Sequence, residues 1–425
     1  MELAINRKKI HKKSYKNLFI NVATFLIIFL GASCVVVDDI LPSFLTIAIW
    51  LVLFICLLLK TKTINIRTLI FFLTIICLMW ISVLVNHESV VNCAKHTFSF
   101  LVVFLYVNLF PLQDAKESIT KVMLFIALIS LVFFPLYIIF PSMNNLFQTN
   151  VNGHSYSILL LYVQTIGMKR NCGLFWEPGA FQAFLNLALL IELSREKINI
   201  RNVIVFCLTI LTTLSTSGFI AAFFIFCYFF LNKHKSKRKI YLFFLLSASV
   251  AIFLLLFKDS FIEGQENDLF GKIVHFFKEA DYEYVYGKNL TTSAIRYFSI
   301  IKPLEVFVHN PLTGVGYDGL RFATLQYTRG VISCTFVNWF AIYGVLFGAI
   351  MMLGYVLMSK KVDEPFFARL FIFLSLMAII MSEDYTHNAF FYAIPCYGFL
   401  KNTKRNSIAG YLRGHINEKQ VVVLE

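Results

Sequence analysis

The chain has few charged residues for its length. Asp, Glu, Lys and Arg make up 15% of its 425 residues, whereas about 25% is usual for a soluble domain. Polar linkers, low-complexity tracts and internal repeats are also missing. Hydrophobic residues reach 58% and fall in repeated apolar runs of transmembrane length. The composition excludes an ordinary soluble enzyme and predicts an all-α, polytopic membrane protein in which residues 1–425 form a single integral membrane domain.

The signature motifs of several enzyme classes are absent. The sequence has no Asp-x-Asp, Walker loop, Rossmann fingerprint, zinc pattern or Gly-x-Ser-x-Gly elbow, and its nine cysteines show no paired spacing. We therefore expect no metal and no cofactor, and a cytoplasmic nucleotide-sugar enzyme is disfavoured. The apolar runs also contain almost no ionisable residues, which ion-coupled carriers place near the membrane midplane.

The formal net charge is +14, but the basic residues lie in short segments that alternate along the chain. This is the positive-inside pattern of membrane proteins, so we expect no nucleic-acid partner. If the N-terminus is cytoplasmic, the short segments richest in Lys and Arg all fall on the cytoplasmic side. The same alternation places the C-terminus in the cytoplasm and predicts a multi-pass protein.

The apolar runs predict about 12 transmembrane helices, with boundaries good to a few residues. The predicted spans are 17–37, 42–59, 68–85, 97–111, 121–140, 178–193, 203–214, 218–231, 240–257, 332–358, 366–381 and 388–400.

Residues 203–231 have the length of one long helix, yet the basic segments that flank them favour a short broken hairpin. The segments on either side, 195–201 and 233–239, are both basic, so an even number of crossings keeps both inside. We place the turn at residues 215–218. The two arms would reach about 18–21 Å, short of a bilayer core of about 30 Å. The tip should therefore lie below the outer surface and line a wet, outward-open cavity.

Two outer segments are long enough to form a site: the loop at 141–177 and the longer extracytoplasmic loop at 258–331. The first ends in the most informative motif, which runs from Arg170 to Gly179. It holds a cation and a carboxylate, Glu177, beside a Pro-Gly pair that opens the next apolar helix. A fixed cation next to a helix N-terminus suits an anionic substrate.

Arg170 and Glu177 have a structural and a functional interpretation. In the first they form a salt bridge, with Glu177 as N-cap and Pro178 at the first helical position. In the second, Arg170 binds a phosphate group in bidentate fashion. Glu177 then orients that arginine or accepts a proton from an attacking hydroxyl.

The second outer segment supplies further candidates. Arg296 lies on a predicted amphipathic helix from Thr292 to Val308, where it either snorkels at the interface or provides a second cation for a diphosphate. His309 either belongs to a turn or acts as a base or a sugar-hydroxyl ligand. Gly314 to Gly316 indicates a tight turn, and Asn338 places an amide near the outer end of an apolar helix.

Taken together, these residues resemble the O-antigen polymerase (Wzy-type) family, within the O-antigen polymerase/ligase superfamily of integral membrane glycosyltransferases. The resemblance spans about residues 165–350. It rests on short motifs: Arg170 to Gly179, Thr216 to Gly218, Arg296 ahead of Asn310 to Gly316, and Asn338 before Gly344 and Gly348. The family's usual Ser-Arg pair at the hairpin tip is Ser217-Gly218 here, so one expected cation is missing.

The resemblance implies an inverting, metal-independent polymerase in the bacterial inner (plasma) membrane. It would join polyprenyl-diphosphate-linked oligosaccharide repeat units at the outer leaflet, during synthesis of O-antigen, capsule or another exopolysaccharide. Arg170 and Arg296 would bind the diphosphate, and Glu177 and His309 complete the expected catalytic set. Substrate contacts are also expected from Ser217, Asn310 and Asn338. Membrane lipid, a chain-length regulator and a flippase are the implied partners.

Two alternatives remain open at this stage. One is an O-antigen ligase, which transfers finished glycan to lipid A core. Ligases usually carry a histidine-bearing loop, and His309 is consistent with such a loop. The other is a lipid-linked oligosaccharide flippase or transporter. Flippases tend to carry charges within the helix bundle and lack a long outer loop, so this chain fits them poorly.

Overall fold

The computed structural model describes residues 2–31, 34, 42–140, 148–151, 154–158, 162–164, 170–231, 292–328, 332–362 and 364–400. In chain order its elements are α1 (Glu2–Gly31), α2 (Ser43–Lys60), α3 (Ile66–Val85), α4 (Val90–Leu109), α5 (Leu112–Ile139), β1 (Gln148–Val151), β2 (His154–Ile158), β3 (Tyr162–Gln164), β4 (Arg170–Gly173), α6 (Pro178–Leu193), α7 (Ile200–Thr213), α8 (Thr216–Leu231), α9 (Thr292–His309), α10 (Tyr317–Thr328), α11 (Thr335–Ser359), α12 (Phe366–Ile380) and α13 (Ala389–Phe399).

The helices confirm a helical, polytopic membrane architecture. Within the described ranges, α2, α3, α4, α5 and α11 are long and apolar enough to cross a membrane by length and composition, and the apolar part of α1 together with α6, α7, α8, α12 and α13 is shorter. Each predicted span corresponds to one of these helices, except 240–257, which lies outside the described residues. The number of about 12 crossings stays a prediction.

Helices α6 and α13 form the centre of the bundle. Every side chain of α6 is buried, as is every residue of α13 up to Gly398. A helix that is apolar on all sides needs neighbours on all sides, and α6 packs against α5, α7, α8 and α12. Its few polar side chains, Gln182, Asn186 and Glu192, are buried with it. The start of α6 is therefore a fixed point around which outer segments can be arranged.

The segment 141–177, expected to be a loop, contains a small antiparallel sheet. Its strands pair in the order β1-β2-β3-β4. The last strand leads into α6 and is held in the bundle by Asn171, whose side-chain amide donates to the hydroxyls of Ser130 (3.1 Å) and Thr212 (2.9 Å). The predicted helix at 292–308 is present as α9, and the same loop contains a further helix, α10. Residues 258–291 lie outside the described residues.

The predicted break within 203–231 is confirmed. Leu214 has left-handed backbone angles (φ 48°, ψ 39°) and ends α7, and α8 begins two residues later. Glu192, near the end of α6, accepts the N–H of Asn199 at the start of α7 (2.9 Å). The other end of α7 lies beside β4, so α6 and α7 run antiparallel. The second arm, α8, packs along α12.

Candidate functional site

The Arg170 to Gly179 motif has the local structure expected from its sequence. Glu177 is the N-cap residue of α6, with extended backbone (φ −149°, ψ 161°) and Pro178 in the first turn. Its side chain makes no capping hydrogen bond, so the carboxylate is available for other contacts. Gly173 has a positive φ (56°), and the ring of Phe181 lies 2.8 Å from where a Cβ would be. Only glycine lets β4 approach α6 this closely.

Arg170 joins the strand to the hairpin tip. Its Nε donates to the carbonyl of Thr213 (3.0 Å) and its Nη2 to that of Leu214 (3.1 Å). A cation at a helix C-terminus is favourable, and these bonds fix the guanidinium in place. Among the described residues, no carboxylate lies within ion-pair distance of Arg170. The salt bridge with Glu177 that a purely structural role would require is therefore not formed.

Glu383 lies against the same helix start, although it is distant in sequence. It follows α12, is buried (7% exposed), and its Oε1 would lie 1.9 Å from a Cβ on Gly179; Oε1 of Glu177 would be 3.3 Å from the same point. Gly179 thus makes room for two carboxyl groups. Burial raises the pKa of Glu383 well above 4.5, and the neighbouring charge of Glu177 raises this pKa further.

The two carboxyl groups form a close pair at the start of α6. Burial and the neighbouring carboxylate both favour the protonated form of Glu383. Within the described part of the chain, Oε1 of Glu383 has no hydrogen-bond partner, and an ionised carboxylate buried without a partner would be costly.

Arg296 completes this group of charges from α9. It is half-buried and close enough to Arg170 and Glu383 for its charge to act on both: burial lowers the pKa of Arg170, and so does Arg296. As far as the structure describes the chain, Arg296 makes no ion pair. Two guanidinium groups therefore lie within electrostatic range of a carboxyl pair in which the protonated form of Glu383 is favoured. The local excess of positive charge suits an anion.

The hairpin tip borders this site. Ser217 shares a hydrogen bond with Ser215 (3.0 Å) and accepts one from the side chain of Gln182 (3.3 Å), and the amide of Asn186 donates to the carbonyl of Gly218 (3.1 Å). The tip thus contacts the second and third turns of α6, inside the bundle. The expected depth of the tip below the outer membrane surface stays a prediction.

The structure separates His309 and Asn310 from the arginines. His309 is exposed at the end of α9, and thirteen residues of helix between it and Arg296 correspond to about 20 Å. Asn310 is also exposed, and its backbone N–H caps α9 by donating to Val306 (3.0 Å). The predicted catalytic role of His309 and substrate role of Asn310 gain no support from these positions and remain sequence predictions.

The Gly314 to Gly316 turn docks on a kink in α11. Gly344 has a positive φ (84°), which frees the carbonyls of the preceding turn. Val315 N–H donates to Ala341 (2.9 Å) and Gly316 N–H to Ile342 (3.1 Å). Because these N–H groups are used inside the protein, the turn is not a phosphate cradle. Its glycines serve close backbone packing.

Asn338 is fully buried near the start of α11 and lies beside Asp384. Burial raises the pKa of Asp384, whereas contacts with Thr386, Tyr317 and Asn338 lower it. The Tyr317 hydroxyl donates to Asp384 Oδ2 (3.1 Å). Asn338 thus lies against the polar segment 381–388, next to Glu383.

Buried polar atoms without a protein partner concentrate around this loop. Within the described residues, such atoms belong here to Asn338, Trp339, Glu383, Tyr385, Thr386 and Asn388. Buried polar groups are nearly always hydrogen-bonded, so a cluster of exceptions calls for water or a bound molecule. The segment 381–388 therefore belongs to the candidate site.

Glu383 was not among the residues predicted for the site. The sequence carries one signal for it, a Glu-Asp pair in a short turn followed by His387. Its partner Gly179 is about 200 residues earlier, and only the packing of α12 against α6 brings them together. Among the described residues, no group of three or more His, Cys, Asp or Glu is arranged to hold a metal ion.

The architecture and the site define a helical membrane protein with a charged, anion-suited site at one end of its bundle. Residues 202–333 match the family model described as O-antigen ligase. The matched range covers α7 to α10 and includes Ser217 and Arg296, while Arg170, Glu177 and Glu383 lie outside it. The match supports the O-antigen ligase/polymerase superfamily without distinguishing its two activities. The search of curated proteins finds no match.

Proposed function

We propose that the chain is a polymerase that joins polyprenyl-diphosphate-linked oligosaccharide repeat units at the outer leaflet of the bacterial inner membrane. The observation that carries this proposal is the meeting of Arg170 and Arg296 with the Glu177–Glu383 pair at the start of α6. The family match adds the substrate class, glycans of the O-antigen type.

In this proposal the arginines hold the diphosphate of the donor. Arg170 keeps two of its N–H groups on helix carbonyls and can turn the rest of its guanidinium toward a phosphate. Arg296 supplies the second cation. Negative charge grows on the diphosphate as it leaves, so prepositioned cations stabilise the transition state more than the ground state.

The carboxyl pair acts on the attacking hydroxyl of the acceptor. A hydroxyl oxygen at the non-reducing end of the acceptor forms a bond with C1 of the donor's reducing-end sugar, from the face opposite the diphosphate. The C1–O bond breaks, and the polyprenyl diphosphate departs with the electron pair. The hydroxyl proton passes to Glu177. Glu383 keeps its own proton and orients Glu177.

A ligase would use the same donor chemistry, and the family description favours neither acceptor. We prefer the polymerase because the most specific motif, Arg170 to Gly179, is the one that the Wzy-type resemblance shares. A flippase is disfavoured, because the charged groups of the described site gather at one end of the bundle instead of along a path through it.

Gene deletion in the source bacterium separates these activities. Loss of a polymerase leaves single repeat units on the surface lipid. Loss of a ligase leaves bare core and lipid-linked polymer, and loss of a flippase leaves units inside the cell. We expect single repeat units; either of the other two products contradicts the proposal.

The outer-face position of the site is tested by cysteine labelling. Trp176 precedes α6 and Lys197 follows it, and both side chains are exposed. In a chain that retains function without its native cysteines, Trp176→Cys should react with a membrane-impermeant maleimide in intact spheroplasts. Lys197→Cys should react only after lysis. The reverse pattern contradicts the proposed orientation.

A further inference from the structure

A polar cavity lies next to residues 381–388 and includes His387 in its lining. It has a volume of about 340 Å³ and lies between α3, α4, α10, α11 and this segment. We call it the histidine cavity; its lining residues used below are Glu88, Asn92, His96, Asp318, Arg321 and His387. The volume is at the lower end of the range of small-ligand pockets, about 300–1,000 Å³.

Two stacked imidazoles form one wall of the histidine cavity. The rings of His96 and His387 are 4.0 Å apart between centroids and nearly parallel, at 10°. The Tyr343 hydroxyl bonds to Nε2 of His387, and the ring of Tyr317 lies 4.9 Å from that imidazole. Burial lowers the pKa of His387 to about 4. This wall therefore offers ring faces and neutral hydrogen-bonding nitrogens at physiological pH.

The charges around the cavity do not favour an ionic ligand. Glu88 and Asp318 oppose a single arginine, Arg321, so a phosphate would meet two carboxylates. Glu88 Oε1 is already occupied by the N–H of Asp318 (2.7 Å). Among the described side chains, the histidines, carboxylates and Cys93 here are not grouped to ligate a metal.

A mixed lining of this kind suits a neutral, polyhydroxylated ring. Met79 and Val83 give apolar surface, and the tyrosine and histidine rings give flat faces. Asn92, Arg321 and Glu88 provide donors and acceptors at the edges. A pyranose has the matching surface, with C–H groups on its faces and hydroxyls around its rim.

The histidine cavity is close to the proposed reaction centre. Glu383 and His387 are four residues apart, so even a fully extended backbone separates them by at most about 14 Å. Thr335 holds this segment by donating to the carbonyl of Glu383 (2.7 Å) and accepting the N–H of Tyr385 (2.6 Å). A sugar in the cavity is therefore within one or two residues of glycan chain from the carboxyl pair.

We propose that the histidine cavity binds a neutral sugar of the acceptor glycan near its non-reducing end. The cavity would hold the acceptor while its terminal hydroxyl reaches the Glu177–Glu383 pair. This inference rests on the proposed polymerase function and assigns the acceptor a place separate from the diphosphate.

The test uses an acceptor that cannot act as donor. An octyl glycoside of the source bacterium's repeat unit has no diphosphate, so its concentration can be varied independently of the lipid-linked donor. Asn92→Ala and Arg321→Ala remove exposed side chains. Each should raise the acceptor KM about tenfold, because about one hydrogen bond to the acceptor is lost. The donor KM should be unchanged.

Matched controls lie on the same helices outside the cavity. Lys95→Ala on α4 and Gln326→Ala on α10 remove exposed side chains and should leave both KM values unchanged. An unchanged acceptor KM in both cavity variants overturns the inference. So does an equal rise in the donor KM, because the cavity would then serve the donor.

Direct binding separates this inference from the proposed function. Calorimetric titration of the octyl glycoside into purified protein needs no turnover. We expect binding to the wild-type protein and to Lys95→Ala, and about tenfold weaker binding to Asn92→Ala. If wild-type protein binds the glycoside but never lengthens a glycan, the polymerase proposal fails and the sugar site stands. If it lengthens glycan but Asn92→Ala binds equally well, only the cavity assignment fails.

Discussion

The segment 170–179 and the turn 309–317 both bring glycines and polar residues to the same end of the bundle, but they differ in how their polar groups are used. In the turn, the N–H groups of Val315 and Gly316 donate hydrogen bonds to backbone carbonyls of α11. In segment 170–179, the carboxylate of Glu177 caps nothing, and Arg170 has no ionic partner among the described residues. Satisfied groups indicate a structural motif, whereas charged groups held in place without an ionic partner indicate a site for a ligand.

The largest effect should come from removing the cations. We expect Arg170→Ala and Arg296→Ala each to reduce chain lengthening about 100- to 1,000-fold, as loss of one prepositioned transition-state donor does. Surface glycan length in a deletion strain complemented by each variant provides the measurement, with protein amount followed by immunoblot.

Lys302→Ala is the control for Arg296→Ala. Lys302 lies on the same helix, pairs with the exposed Glu305 (2.8 Å) and lies over the ring of Tyr327 (4.4 Å), so its charge is already engaged within this part of the protein. It should leave glycan length normal. Normal long glycan in both arginine variants would contradict the functional role of the two cations. The contrast between a functional segment 170–179 and a structural turn 309–317 would then not hold.

Gly344→Ala tests the structural role of the turn 309–317, which docks on the kink in α11. The new Cβ would lie 2.0 Å from the carbonyl oxygen of Leu312, at a φ of +84°. Backbone strain of about 1–3 kcal/mol and overpacking of similar size should lower the thermal midpoint in detergent by several degrees. The control, Gly319→Ala on α10, meets nothing closer than 3.4 Å and should be neutral or slightly stabilising. Equal midpoints for the two variants contradict the docking role of the turn.

Gly179→Ala should act on the site and on stability together. A Cβ at this position displaces the buried Glu383 carboxyl, at a cost of about 1–3 kcal/mol. The double variant Gly179→Ala/Glu383→Ala relieves the clash and should recover much of the thermal midpoint without recovering activity. If the loss of thermal midpoint in the double variant equals the sum of the losses in the two single variants, positions 179 and 383 are not coupled.

The smallest effect concerns pH. The pKa of Glu383 is raised in the folded state, so folding favours its protonated form. Its contribution is complete below the unfolded pKa, about 4.5, and is lost as pH rises through the folded pKa. Glu383→Gln mimics the protonated form and should weaken the decline of the thermal midpoint between pH 5 and pH 9. Glu305→Gln, at an exposed site, should keep the wild-type slope, and an identical slope in Glu383→Gln argues against a buried proton.

The features predicted correctly from the sequence depend on local rules. Apolar runs locate the predicted spans, and Pro178 after Glu177 locates the start of α6. Charge parity predicts a break within 203–231; it was placed at 215–218 and lies slightly earlier, at Leu214 and Ser215. The small sheet was missed because its strands are short and lie among apolar residues, although Asn152-Gly153 between β1 and β2 is a common hairpin signal.

The contents of the site could be predicted only in part. Arg170 and Glu177 share one motif, and the family resemblance pointed to Arg296. Glu383 joins them through the packing of α12 against the start of α6, a contact that no local pattern encodes. The role of Gly344 was likewise invisible, because it depends on a kink whose carbonyls are used by a turn about 30 residues earlier.

The most direct test of the central claim is the reaction of purified protein with one defined polyprenyl-diphosphate-linked repeat unit, followed by mass spectrometry. The account predicts a lipid-linked product one repeat unit longer and an equal amount of free polyprenyl diphosphate, both lost in Arg170→Ala. Unchanged substrate with active wild-type protein, or transfer only to added lipid A core, would contradict it.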